Sequence, residues 1–169
     1  KQSKDKAKQV SKEQKQALEQ AKSWIKPTAL EDMHIYTEDN VIKACRKHSM
    51  EVLNVIKNNL KTLVCGLDLA EIKGKDLIPS HQLALSVGIM DDDCPPFYTQ
   101  QLTYEEAIQY LRRENITPDN HTAKGYNMVS YKGKRLGFIK NIGNRANNLY
   151  PQEWKIRSGY IPDDVKTVM

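Results

Sequence analysis

The sequence predicts an α+β fold, and two kinds of signal carry that prediction. Two segments open with a capping box and continue with apolar residues at helical spacing, while others are short β-type runs separated by turn-forming residues. Ser11-Lys12-Glu13-Gln14 leads into Leu18, Ala21 and Ile25, so a helix over about 12–25 is expected, ended by Pro27. Thr103-Tyr104-Glu105-Glu106 leads into Ala107, Ile108 and Leu111, which with Tyr104 stand at i, i+3, i+4 and i+7. That spacing predicts a helix over about 103–114 whose stripe faces a core, with Glu105, Arg112 and Arg113 toward water.

Between these helices, Met33–Tyr36 and Val41–Cys45 are strand candidates around the turn chemistry of Glu38-Asp39-Asn40. Residues 50–59 place Val52, Leu53 and Ile56 on one helical face, and Lys61–Leu69 reads as a buried strand through Leu63, Val64, Cys65 and Leu67. Lys73-Gly74-Lys75-Asp76 is a turn, Pro79 suits the first turn of a helix running through Leu83, Ala84 and Val87, and Asp91–Tyr98 is a loop. Strands are expected at 126–131 and 135–140 with Gly133 in the hairpin between them, then a polar loop at 143–148 and a last strand at Glu153–Arg157.

The 169 residues, 39% hydrophobic and 28% charged, suit one ordinary domain or two small ones sharing an interface. A mean hydropathy of -0.67 adds some extended polar chain, above all in the Lys-rich leader. The absence of a long apolar run or signal peptide sets the expected location in the cytoplasm, with no membrane partner. Cys45, Cys65 and Cys94 are too few and too scattered for a disulfide framework or a zinc site, so buried free thiols are expected.

Charge is segregated along the chain. Residues 1–26 hold eight lysines against three acids, and residues 124–157 hold eight Lys or Arg against Glu153 alone. Between them, residues 27–123 carry nine basic and fifteen acidic side chains. A uniform solubility charge would not divide in this way, and two basic blocks around an acidic centre point to a polyanionic partner met by particular surfaces, although a solvated Lys-rich linker accounts for residues 1–26 nearly as well and the functional reading is favoured for 124–157.

Catalytic patterns are missing. No G-x-G-x-x-G turn and no G-x-x-x-x-G-K-[ST] loop occurs. Cys94-Pro95-Pro96-Phe97 has a cysteine where an amino-methyltransferase needs a hydrogen-bonding Asp or Asn, and it reads as a Pro-rich connector. Asp91-Asp92-Asp93 reads as a solvated charge run, and His34, His48, His81 and His121 lack metal-ligand spacing, so no metal site is assigned. His81 is expected to be a hydrogen-bonded structural residue.

The basic hairpin is the part that suits binding. Lys132, Lys134, Arg135, Lys140, Arg145, Lys155 and Arg157 alternate with Tyr126, Tyr131, Phe138, Tyr150 and Trp154. Cations neutralise phosphates and rings stack on unpaired bases, which together meet the needs of RNA binding. Phe138 and Trp154 are assigned to the core, and Tyr131 to the binding surface.

Those same residues carry a resemblance. Gly125-Tyr126-Asn127-Met128-Val129-Ser130-Tyr131-Lys132-Gly133-Lys134-Arg135-Leu136-Gly137-Phe138-Ile139-Lys140, then Gly143-Asn144-Arg145, Asn147-Asn148 and Tyr150-Pro151, resembles the PUA-like C-terminal domain of bacterial 16S ribosomal RNA cytosine-5 methyltransferases of the RsmF type, in the Nop/Sun family. Leu63–Leu69, Ile72–Ser86 and Glu105–Glu114 are similar to the segment before that domain, so the resemblance covers about residues 24–160, and the Lys-rich leader is similar to the linker after a catalytic domain.

The resemblance implies a PUA-like β-pseudobarrel near residues 61–157, flanked by a small α/β segment and an N-terminal helix. The corresponding division is a basic linker and helix at 1–26, a small α/β segment at 27–99 and a PUA-like RNA-binding domain at 100–169. It implies that ribosomal RNA is the partner, that Asn144 joins the cations and Tyr131 as an RNA contact, and that a catalytic domain acts in cis. S-adenosylmethionine belongs to that absent domain, and no cofactor is expected in this chain. Such enzymes hold their catalytic cysteines in Pro-Cys and Thr-Cys motifs, and neither Cys45, Cys65 nor Cys94 stands in one, so no catalytic or cofactor-binding residue is assigned. The rival functions are a scaffold domain that binds an acidic protein and an independent enzyme.

Overall fold

The computed structural model describes residues 12–61, 65–91 and 95–159. The first helix, α1 (Lys12–Lys22), buries Ala17 and Ala21, and tighter i→i−3 bonds from Trp24 and Ile25 end it before Pro27 is reached. Pro27 instead opens α2 (Pro27–Asp32), where its fixed φ and missing donor suit a first turn. Among the described residues, eight strands pair into two four-stranded sheets, and their pairing does not close into a ring.

The first sheet is an antiparallel meander of β1 (Met33–Glu38), β2 (Val41–Arg46), β3 (Leu67–Lys73) and β4 (Asp76–Pro79). Asp39 and Asn40 join β1 to β2, both at positive φ, as the tight hairpin turn requires. After β2 the chain enters α3 (Met50–Asn59). Its expected apolar face is rotated: Val52 is 58% exposed, while Leu53, Ile56 and Lys57 are half-buried. The rotation follows from two anchors, the Lys57 ammonium on Glu38 at 2.6 Å and Met50 against the Cys45 thiol at 3.1 Å.

Two further boundaries differ from expectation. The strand expected from Lys61 begins at Leu67, after irregular chain at Cys65 and Gly66, and Leu63 and Val64 lie outside the described residues. Pro79 closes β4 rather than opening a helix, because β4 is a sheet edge where a missing N–H is tolerated. Ser80 then caps α4 (His81–Leu85), its hydroxyl accepting the Gln82 N–H, and the helix stops short of Val87, which is left exposed. Cys94 and the acids Asp92 and Asp93 lie outside the described residues.

The second sheet orders β5 (Thr99–Gln101), β6 (Gly125–Tyr131), β7 (Lys134–Asn141) and β8 (Ala146–Asn148). β5 and β6 run parallel, so the chain must cross over between them, and it does so through α5 (Tyr104–Leu111). The Thr103–Glu106 capping box is present in both directions. The buried face of α5 centres on Ala107 and Tyr110, with Tyr104, Ile108 and Leu111 at its half-buried margins. Tyr110 was not part of the expected stripe; its hydroxyl donates to the Phe138 carbonyl at 3.1 Å, and burial pushes its pKa well above the ordinary phenol value.

Two more corrections concern the end of the chain. The polar loop at 143–148 contains β8, whose Ala146 is fully buried because the free edge of β7 recruits it. Glu153–Arg157 is not a strand: Gln152–Trp154 form a 3-10 turn, and the Ile156 N–H bonds to the Leu111 carbonyl instead of a sheet.

The core explains how the layers join. Met128 and Phe138, opposite each other on β6 and β7, enter one cluster with Trp24, Ile42, Leu69, Leu83 and Phe97. Their neighbours Val129 and Ile139 point the other way, into a cluster with Ala107, Tyr110 and Ile116. Phe138→Ala is expected to cost about 3–5 kcal/mol in chemical denaturation, and Leu111→Ala, at a half-buried margin, no more than the low end of about 2–5 kcal/mol. Gly137→Ala is expected to cost about 1–3 kcal/mol, because at φ +148° its β-carbon would collide with the Tyr110 hydroxyl and lie 2.8 Å from His81 Nδ1. Equal stability of Gly137→Ala and the parent would show that the α4, α5 and β7 junction is looser than described.

Candidate functional site

The basic block of the sequence is divided by the fold into three places. Lys132 and Gly133 form the tight turn between β6 and β7, so Lys132, Lys134 and Arg135 crowd one hairpin tip. The Lys132 ammonium lies 5.6 Å from the centre of the Tyr131 ring, which is half-buried and 6.2 Å from Tyr104 on its other side. Arg135 donates to the Asp91 carbonyl at 3.4 Å, and a hollow of about 290 Å³ separates the tip from the end of α4 at Leu85, Ser86 and Val87.

Lys140, Asn144 and Arg145 stand at the opposite end of β7, roughly 23 Å from the tip at about 3.3 Å per residue. Lys140 bonds Asp76 at 2.6 Å and covers the Tyr126 ring at 5.0 Å. The bond to Asp76 raises its pKa, so this cation ties β7 to the β4 edge of the other sheet. Asn144 and Arg145 are exposed in the turn before β8.

Lys155 and Arg157 form the third place, where they meet two residues that the sequence reading had assigned only to solvent, Arg112 and Arg113. An open groove of about 570 Å³ is lined by Arg112, Glu114, Gln152, Lys155 and Arg157, and a neighbouring hollow of about 260 Å³ adds Arg113, Asn115, Asn147 and Asn148. The C-terminal end of α5 builds this site. Arg113 N–H bonds the Tyr110 carbonyl and Glu114 N–H the Gln109 carbonyl, both at 2.9 Å, which is the double bond of a Schellman turn. The Asn148 amide donates to the Tyr110 and Glu114 carbonyls at 2.8 and 2.9 Å. The Arg113 guanidinium donates to Gln152 Oε1 at 2.7 Å.

Beside this groove, Trp154 is 53% exposed rather than buried. It lies on a 3-10 turn at the surface, its N–H bonded to the Pro151 carbonyl at 3.2 Å and its ring in contact with His81, centroids 5.2 Å apart at 76°. His81 also meets Tyr150 edge-on at 5.1 Å, and its buried Nδ1 has no hydrogen-bond partner, so ring packing holds it rather than the expected hydrogen bond. The sequence signal for this groove was an arginine pair just past a helix end, where a Gly or Asn normally turns the chain.

Chemistry of other kinds finds little to use. Among the described residues no group of three His, Cys, Asp or Glu is placed to hold a metal ion, and no helix is long and apolar enough to cross a membrane. Cys45 and Cys65 are buried free thiols, and burial raises the Cys45 pKa. Among the described residues, the strand-to-helix joints at Pro79-Ser80 and Leu102-Thr103 lack the glycines that let a backbone close on a nucleotide-like cofactor, so these two joints do not fit S-adenosylmethionine.

A β5-α5-β6-β7-β8 unit with a basic hairpin defines the class as a PUA-like domain within an α+β fold. The particular kind follows from comparison: residues 97–156 match the family described as the methyltransferase RsmF PUA domain. The chain is 26% identical over 145 residues to ribosomal RNA small subunit methyltransferase F of Aliivibrio fischeri, covering 85% of this chain and 29% of that protein. It is 31% identical over 88 residues to the protein of that name from an Enterobacter species, and 30% over 89 residues to that of Shewanella loihica, each covering 52% of this chain and 17% of the relative. The chain thus spans less than a third of the length of the relatives it matches.

His81 makes this region sensitive to acid. Burial lowers its pKa below 6.5, opposed by the nearby Glu153 carboxylate. The unfolded chain therefore binds the proton more readily, so the neutral ring's contribution is complete above about pH 6.5 and is lost as pH falls toward the folded pKa. Lowering pH from 7.5 to 5 is expected to depress the Tm more in the parent than in His81→Asn. An equal depression in both would place the acid sensitivity elsewhere.

Proposed function

We propose that this chain is the RNA-binding portion of an rRNA cytosine-5 methyltransferase and that it grips ribosomal RNA so as to place a catalytic domain, linked in cis, over its target cytosine. The observation that supports this most is a coincidence of boundaries. The stretch matching the RsmF PUA domain, 97–156, encloses most of the basic block, and its cations line the hairpin tip and the α5 groove. The RNA contacts in this reading are Tyr131, Lys132, Lys134, Arg135, Lys140, Asn144, Arg145, Lys155 and Arg157. Affinity comes mainly from phosphates, since these side chains present charge more than base-reading geometry.

The division into a basic linker and helix at 1–26, a small α/β segment at 27–99 and the RNA-binding domain at 100–169 belongs to the same proposal, as does a cytoplasmic location. The first two parts serve as a buttress: the core cluster joins Trp24, Ile42 and Leu69 to Met128 and Phe138, so the hairpin is carried on a rigid base. Methyl transfer and S-adenosylmethionine binding belong to the cis catalytic domain. Calorimetry on the chain alone is expected to give no stoichiometric binding of that cofactor, and micromolar binding would overturn the assignment of the chain as an accessory region.

RNA affinity is expected to fall with salt, each neutralised phosphate contributing a log-log slope of roughly -0.7 to -0.9 through counterion release. Replacing Lys134 and Arg135 by Ala should flatten the slope by about one to two units while leaving the melting temperature close to the parent's. An unchanged affinity and slope for a ribosomal RNA fragment would remove the hairpin tip from the RNA surface. Stronger competition by an acidic polypeptide than by RNA would favour a scaffold domain.

A further inference from the structure

The C-terminal end of α5 contains a residue that the fold alone does not explain. The position after a Schellman turn is usually Gly, sometimes Asn, because a β-carbon at positive φ is strained. Here it is Arg113 at φ +63°, exposed, with no burial to offset that strain. One reason for cations at this place is complementarity to the negative end of a helix. Yet the carbonyls of that end already have donors: Gln109 from Glu114 N–H, Tyr110 from Arg113 N–H and Asn148, and Leu111 from Ile156 N–H. Capping therefore accounts for neither the charge nor the strained backbone, and the bond of the guanidinium to Gln152 Oε1 at 2.7 Å needs a donor but no positive charge.

The surroundings indicate what the charge is for. The two hollows are lined by Arg112, Arg113, Lys155 and Arg157 with Glu114 as the carboxylate among them, which leaves a surplus of positive charge along an open groove. Trp154 stands next to Lys155 with more than half its surface in solvent. His81 is in contact with Trp154 and lies beside Gly137, which is two residues along β7 from Arg135.

We propose that this groove holds a single-stranded segment of RNA, with Arg113, Lys155 and Arg157 on its phosphates and Trp154 stacked on one unpaired base. The proposal rests on the RNA-binding reading above and adds to it a phosphate contact at Arg113, a stacking role for Trp154 and a preference for unpaired nucleotides. An A-form duplex keeps its bases stacked on each other and has none to offer a protein ring.

The test is a fluorescence titration of the 169-residue chain with oligouridylate and with duplex RNA of equal length. Trp24 is buried, so the emission change reports Trp154. Oligouridylate is expected to quench that emission and to bind more tightly than the duplex. Trp154→Leu keeps an apolar side chain against His81 and should lose affinity for the single strand on the order of 5- to 100-fold, with little change for the duplex. Arg113→Gly relieves the backbone, so its Tm should equal or exceed the parent's while its affinity for oligouridylate falls. If the parent binds oligouridylate and both variants bind it equally well, the groove assignment is overturned and the RNA-binding reading stands. Failure of the parent to bind either RNA overturns both, and displacement of bound oligouridylate by polyglutamate overturns the assignment of the groove to RNA.

Discussion

Three rings hold the two sheets of this protein together, and most of what the surface presents depends on them. Phe97 lies 5.0 Å from Trp24 and 4.9 Å from Phe138, each pair tilted toward an edge-to-face arrangement that suits aromatic quadrupoles. Trp24 follows α1, Phe97 precedes β5 and Phe138 is in the middle of β7, so the file of rings crosses three regions far apart in sequence. Because β6 and β7 alternate their side chains, fixing Met128 and Phe138 toward this file also fixes Val129 and Ile139 toward α5. A slip of one residue in that hairpin would exchange the two faces, and the cations at its tip would move with it.

A second set of contacts settles where the charges sit. The Lys140 to Asp76 bond joins the far end of β7 to the edge of the other sheet. Asn148, by capping α5, brings β8 and the chain after it against Arg112 and Arg113. Basic residues that are neighbours in sequence are thereby separated, and cations as far apart in sequence as Arg112 and Arg157 are gathered. The hairpin tip and the α5 groove are distinct patches, linked along β7 by the His81, Tyr150 and Trp154 cluster.

The same cluster shows how a surface residue acquires a defined position without burial. Trp154 is carried on a short 3-10 turn after Pro151 and has one ring contact to hold it. His81 in turn is fitted against Gly137, where any β-carbon would intrude. An exposed ring with a packed neighbour loses little further freedom on binding, which suits it to recognition more than a mobile side chain would be.

Local physics made much of this protein legible in its sequence. The Thr103 capping box, the Asp39-Asn40 and Lys132-Gly133 turns, α3 and the alternation of β6 and β7 all depend on residues within a few positions of one another, and each is present. The net basicity of 124–157 and the resemblance of 125–151 were legible for the same reason. What escaped was set by distant partners. β8 forms from Ala146-Asn147-Asn148 because β7 offers an unpaired edge, and no β pattern in those three residues announces it. Tyr110 is buried because the Phe138 carbonyl accepts its hydroxyl, and Trp154 is exposed because the backbone at Ile156 bonds α5 instead of entering a sheet. The sequence by itself determined the elements, their turns and the sign of the surface. Only the tertiary structure decided which cations share a groove, because that depends on contacts across dozens of residues that no local pattern encodes.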